Sequence, residues 1–235
     1  MSPYERPLAL RLLAPVLTVV LTVCGEAAGG CAPEGPSLVV LGNLQPDLMC
    51  VVSANSEVYV LHGRYDVAGP SPGYVVNMRV ASQLVPRASN RSVQPRAEPN
   101  HVLIEGAVVT LSGGGGAPLP AGISSSYTVS VAATIPVGGT GGVGFGVVPV
   151  VAIPPSVAAQ LAAAVPTRGA VVDVDVTIEL FGRTAGDVTV AADPWTWPVQ
   201  VCNGCLDNCA LAAVMMTMCA GGYDNFLYCS TPAVP

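Results

Sequence analysis

The stretch VVDVDVTIELF, Val171–Phe181, reads as a β-strand with one dry face and one wet face. Val172, Val174, Val176, Ile178 and Leu180 point one way, and Asp173, Asp175, Thr177 and Glu179 point the other. Successive side chains of a pleated strand leave on opposite faces, so sustained period-two alternation marks a half-buried strand. Downstream, a GRTAG turn (Gly182–Gly186) followed by Asp187–Ala191 and Trp195–Val201 continues the pattern as a meander. Upstream, Ser37–Leu41, Glu57–His62, Tyr74–Val80 and Val102–Leu111 are further strands. One helix is expected, Pro155–Val165, closed by Pro166. The pattern predicts a mainly β protein: an antiparallel β-sandwich of the Ig-like kind, with one short helix and a disulfide-rich C-terminal tail.

Residues 106–167 hold no Asp, Glu, Lys, Arg or His. Within them Tyr127, Val129, Val131, Ala133 and Ile135 alternate with Thr128, Ser130, Ala132 and Thr134, and the glycine-rich turn Gly138–Gly142 leads into Val143–Ile153. We read a β-hairpin whose strands are buried on both faces and so need no charge. A transmembrane helix competes on hydropathy, but Pro149, Pro154 and Pro155 interrupt it. A membrane-inserting hairpin would share the alternation of apolar and small polar residues.

Composition excludes several classes. Of 235 residues only 10% are charged, against roughly 25% in an ordinary soluble domain. Hydrophobic residues make up 51% and mean hydropathy is +0.57, which is incompatible with intrinsic disorder. The net charge of −6 offers no basic excess for nucleic acid. All nine basic residues are arginine. Without lysine there is no phosphate-binding P-loop, no kinase lysine and no Schiff base.

Residues 1–30 read as an export signal: Arg6 and Arg11 form a basic region, and Leu12–Val23 is an uncharged run of 12 residues. A spanning helix needs about 20 apolar residues, so a signal fits better than a permanent anchor. A buried N-terminal helix is the alternative, opposed by Pro15 and by the small residues Ala27, Ala28, Gly29 and Gly30. Leu21-Thr22-Val23-Cys24 and Ala28-Gly29-Gly30-Cys31 are each similar to the lipobox of bacterial lipoproteins, in which an apolar and two small residues precede the lipidated cysteine. Cys24 has the leucine but follows a bulky Val23, and Cys31 has the small residues but lacks the leucine. Lipidation at Cys31 leaves six thiols and at Cys24 seven. Simple secretion is the alternative to lipidation. With the β body and the segment PVQVCNGCL (Pro198–Leu206), the chain resembles envelope lipoproteins of high-GC Gram-negative bacteria. The resemblance implies an exported protein tethered to a membrane face by its N-terminal lipid, and it brings no activity with it.

The division expected is therefore signal 1–30, β-sandwich body 31–201 and Cys-rich tail 202–235 packed on the body. The tail carries Cys202, Cys205, Cys209, Cys219 and Cys229. In an exported chain these, with Cys50 as the sixth partner tying body to tail, are expected as disulfides, and six cysteines permit 15 connectivities. Zinc at Cys202 and Cys205 and copper at Met215, Met216 and Met218 are the competing readings. Leu206 after the CNGC excludes c-type haem, and a thioredoxin-like role lacks its βαβ context.

Among polar residues, Asp173, Asp175 and Glu179 share one strand face about 7 Å apart, which suits a solvated face better than calcium. Trp195 and Trp197 share another, as sandwich core or as a sugar-stacking platform. Leu84–Asn100 is a polar loop with three arginines, read as solvated rather than anion-binding, and its sequon at Asn90 matters only in a eukaryote. His62 and His101 each stand alone at strand boundaries, and Gly139–Gly144 matches G-x-G-x-x-G without the helix that a dinucleotide site needs. No hydrolase or protease signature is present. The reading is a non-enzymatic cell-envelope or secreted protein, an interaction or structural module, with no catalytic residue, cofactor, metal or nucleic-acid partner. Two classes compete with it: a small-ligand or carbohydrate binder using Trp195, Trp197, Asp173, Asp175 and Glu179, and a thiol-redox or metal-handling protein using the tail cysteines.

Overall fold

Alternating residues resolve into ten strands in a computed structural model that describes residues 37–47, 49–86, 99–138, 143–209, 219, 222, 224 and 226–229. The lipidation candidates Cys24 and Cys31, Asn90 with the three loop arginines, Met215, Met216 and Met218, and Gly139–Gly142 lie outside the described residues. The smaller sheet has the order β2-β1-β4-β7, built from β1 (Leu38–Leu44), β2 (Tyr59–Val60), β4 (Tyr74–Ser82) and β7 (Gly144–Ile153). The larger has the order β3-β10-β8-β5-β6, from β3 (Gly63–Asp66), β5 (Val102–Gly113), β6 (Ser126–Ile135), β8 (Val171–Thr184) and β10 (Trp195–Cys202), with β9 (Thr189–Ala191) on β8. The larger sheet curls into a half-barrel. Both sheets contribute to one core, in which Val76, Met78 and Val150 of the smaller join Val109, Val176 and Ile178 of the larger.

The segment Val171–Phe181 behaves as its alternation requires. Val174, Val176, Ile178 and Leu180 are buried, while Asp173 and Glu179 are exposed and Asp175 is half-buried. The strand runs further than the pattern suggested, because Gly182 is part of it. A Cβ there would lie 2.1 Å from the Leu103 carbonyl oxygen, so glycine permits a close pass of β5 rather than a turn. The turn comes later, where Thr184 N–H donates to Val188 O at 2.8 Å.

Three further differences follow from tertiary placement. β6 and β7 are not a hairpin: β6 pairs with β5 and β7 with β4, so the chain changes sheet between them. Nor is β6 buried on both faces, since Thr128, Ser130, Ala132 and Thr134 are exposed and their short side chains, three of them hydroxyls, face water without charge. The run Glu57–His62 also divides between sheets. Its end becomes β2, paired with β1, and after Leu61 and His62 the chain enters β3 of the other sheet. β3 lies parallel to β10, the one parallel ladder among the described strands.

The helix α1 (Pro155–Ala164) starts with proline at its first position, where no amide partner is lost, and buries Val157, Ala158 and Leu161. Among the described residues no helix is long and apolar enough to cross a membrane. The described tail residues seat Leu206, Phe226 and Tyr228 as buried anchors. Among the described residues three disulfides are present: Cys50–Cys219, Cys202–Cys205 and Cys209–Cys229. Such bonds persist in oxidising, exported environments.

Candidate functional site

The wet face of the larger sheet carries the polar residues that the core rejects. On β8, Asp173 stands opposite Gln200, and Asp175 stands between Pro198 of β10 and Ser112 of β5. Thr177 faces Thr196, with hydroxyl oxygens 2.9 Å apart. A groove of about 340 Å³ opens here, with Asp173, Asp175 and Gln200 in its floor, His62 on one wall and Gly114–Gly115 on the other. His62 reaches the groove because the chain crosses between sheets at that point. The opposite wall is a tight 3-10 turn in which Gly115 and Gly116 take φ of 67° and 79°. At Gly114 a Cβ would come within 2.8 Å of the Asp173 Cβ, so only glycine lets the turn lie on β8. The Gly115 N–H donates to Asp175 Oδ2 at 2.8 Å.

Among the described residues no cation pairs with Asp173 or Asp175. The groove thus places two carboxylates with no ion-pair partner among the described residues beside an imidazole and an amide. Among the described residues, the one group of three or more His, Cys, Asp or Glu whose ligand atoms lie within 4.8 Å of one another is Asp66 with Cys202 and Cys205, outside the groove lining. Glu179 shares the strand face but lies beyond the groove lining.

A second polar assembly lies under the tail, and its residues carried no signal in the sequence beyond being acidic. Asp66, at the end of β3, is fully buried. Its Oδ1 accepts from the N–H of Ala68 at 3.0 Å and Gly204 at 2.7 Å, and its Oδ2 from Leu206 N–H at 2.9 Å and Tyr228 Oη at 3.2 Å. The carboxylate thus organises the CNGC loop and anchors the tail. Burial and the Asp66 charge push the Tyr228 hydroxyl well above its ordinary range, which keeps it a donor.

Next to it, Trp197 Nε1 donates to Tyr74 Oη at 3.0 Å, and Tyr74 Oη donates to Asp224 Oδ1 at 2.7 Å. The Arg64 N–H adds a 3.3 Å bond to the same oxygen. Burial pushes the Asp224 carboxyl up to about 6, with the bonds from Tyr74 and Arg64 opposing the shift. This chain passes directly beneath the groove. A Cβ on Gly63 would lie 2.5 Å from Tyr74 Oη and 2.7 Å from Trp197 Nε1.

The two indoles stack on each other, centroids 5.3 Å apart and 14° between planes. Trp197 is buried and Trp195 half-buried, so the pair is no open platform. Trp195 instead borders a separate recess of about 120 Å³ with Leu38, Val40 and Asp193. His101 is half-buried before β5 and away from the groove lining. On the smaller sheet Arg79 is buried over the Phe145 ring at 4.4 Å and donates to Tyr59 Oη at 2.7 Å.

Fold and site together define a disulfide-stapled, two-sheet β protein with an acidic groove on the wet face of its larger sheet. Set against known protein families, curated proteins and solved structures, the chain matches none of them.

Proposed function

We propose that this is an exported, non-enzymatic interaction module that receives a cationic group of a partner, an arginine or lysine side chain, in the groove between His62 and Gly115. The observation that carries the reading is unspent charge. Asp66 and Asp224 use their oxygens to hold the fold, whereas Asp173 and Asp175 have no cationic partner among the described residues. An Ig-like sandwich remains the architecture that suits such a module. The shared core supports it, and the curl of the larger sheet with its parallel β3–β10 pair departs from it.

Nuclear magnetic resonance titration with Nα-acetyl-arginine amide tests the reading. Saturable shifts are expected at the Gly115 amide and the His62 ring, weakened by salt and lost in Asp173→Asn/Asp175→Asn. Shifts that survive the double substitution, or none at all, would refute it. N-acetylglucosamine serves as the comparison. A response confined to the Trp195 indole would move the function to a carbohydrate binder at the smaller recess.

Lipid attachment at Cys24 or Cys31, with the membrane as partner, belongs to the same proposal. Intact-mass measurement of the mature protein reports cleavage, lipid and disulfide count together, and a mature N-terminus other than cysteine would remove the lipid.

A further inference from the structure

The Cys202–Cys205 bridge differs from the other two in the features that govern exchange. Its cysteines are three positions apart, against 20 for Cys209–Cys229 and 169 for Cys50–Cys219. It therefore restrains the unfolded chain least. Its sulfurs are unequal: Cys202 is fully buried at the end of β10, and Cys205 is exposed on the loop. The loop is also held without the bridge. Asp66 binds the Gly204 and Leu206 amides, Asn203 N–H donates to Ala170 O at 3.1 Å, and Asn203 Nδ2 donates to Val165 O at 2.9 Å. A bridge whose opening leaves its surroundings in place can cycle between states.

We infer that Cys202–Cys205 is a thiol–disulfide exchange site, independent of the groove, that takes a dithiol partner at Cys205. The partner's first thiol gives its proton to water and its thiolate attacks Cys205 Sγ. A new S–S bond joins the partner to Cys205. The Cys202–Cys205 bond breaks, its electron pair passes to Cys202 Sγ, and that sulfur takes a proton from water. The partner's second thiol gives its proton to water and its thiolate attacks the partner's own sulfur in the mixed disulfide; Cys205 leaves with the electron pair and takes a proton from water. Two partner thiols are thereby oxidised to a disulfide while the CNGC pair is reduced to a dithiol.

The surroundings of the two sulfurs differ. The Tyr65 carbonyl oxygen lies 3.6 Å from Cys202 Sγ, placed to accept its S–H once the bridge opens. An Asp66 oxygen lies within 4.8 Å of both sulfurs, so the carboxylate that holds the Gly204 and Leu206 amides also borders the bridge. Arg168 lies across Gly204, where a Cβ would stand 3.0 Å from its Cγ, and its exposed guanidinium pairs with Asp207 at 2.9 Å beside the loop.

The test equilibrates the full oxidised chain with graded ratios of reduced to oxidised glutathione, quenches with an alkylating agent and maps labelled cysteines by peptide mass. Cys202 and Cys205 should label at a ratio at least tenfold less reducing than the other bridged cysteines require, with the far-ultraviolet circular dichroism unchanged. Cys202→Ser should carry one glutathione on Cys205, and Cys205→Ser should acquire it on buried Cys202 at least tenfold more slowly. Opening of all three bridges together, or of this one last, would overturn the site. So would equal glutathionylation of the two variants. Should either variant fail to fold, the mapping of the unsubstituted chain decides alone.

Discussion

Asp66 lies buried beneath the tail and Asp224 is a buried residue of the tail itself, while Asp173 and Asp175 lie on the open face of β8. The chemistry is the same and the use is opposite. Under the tail, burial makes an unpaired carboxylate costly, and each is enclosed by donors from distant parts of the chain: Gly204, Leu206 and Tyr228 for Asp66, Tyr74 and Arg64 for Asp224. On the wet face water can solvate the charge, so a single protein donor, the Gly115 N–H on Asp175, suffices and no cation among the described residues takes up either carboxylate. Position in the fold, rather than residue type, separates an acid that builds structure from one that can bind.

The contrast can be broken most forcefully at the tail. Replacing Cys50 and Cys219 by serine removes the closure of the 169-residue loop, worth up to ~5 kcal/mol in the chain-entropy model. Urea unfolding should show that loss, and limited proteolysis should find the tail cut while the strands through β10 survive. Cooperative loss of the whole protein would show that body and tail cannot be divided at residue 201.

Asp66→Ala comes next. It strands three backbone amides and a tyrosine hydroxyl in a buried site, and we expect a loss on the order of 3–4 kcal/mol. A loss as small as that of a surface substitution would erase the distinction between the two pairs of acids.

Asp224 makes stability depend on pH. Its carboxyl rises from 3.8 to about 6 on folding, so between those values the folded state binds more protons than the unfolded chain. Stability contributed by this group is full below 3.8 and is lost as pH rises to about 6, a difference of roughly 3 kcal/mol. Asp224→Asn keeps acceptors for Tyr74 and Arg64 and tolerates the φ of 52°, so it should flatten urea-unfolding stability across that window. An unchanged pH profile would mean that Asp224 is not the group responsible.

The smallest effect is expected at the groove. Asp175→Asn retains an acceptor for the Gly115 amide and should shift the unfolding free energy by no more than about 0.5 kcal/mol. A large loss would place Asp175 with the structural acids and leave the groove without its binding residue.

Much of the frame was legible in the residues. Val171–Phe181, Val102–Leu111 and Tyr74–Val80 fall on β8, β5 and β4, and Pro155–Val165 on α1, because alternation and proline placement act locally. The acids of β8 were legible as a wet face for the same reason. The groove was not, since His62, Gln200 and Gly114 come from three separate stretches and acquire a common purpose only when β3, β10 and β5 are brought beside β8. The tryptophans show the limit from the other side. Their spacing placed both on one face, but whether that face met solvent or core depended on Tyr74, 123 positions away from Trp197.

By itself the sequence determined that this is a mainly β protein with no lysine chemistry, that β8 has a dry and a wet side, and that its cysteines favour cross-links. These follow from side-chain periodicity, composition and redox chemistry, which need no knowledge of what lies opposite. Only the tertiary structure decided that β6 and β7 join different sheets, that Asp66 is the hub beneath the CNGC loop, and that Cys50 meets Cys219. Each of those depends on which partner a strand or side chain finds across the fold. That choice is set by the joint burial of both sheets in one core, a property no single stretch of the chain carries.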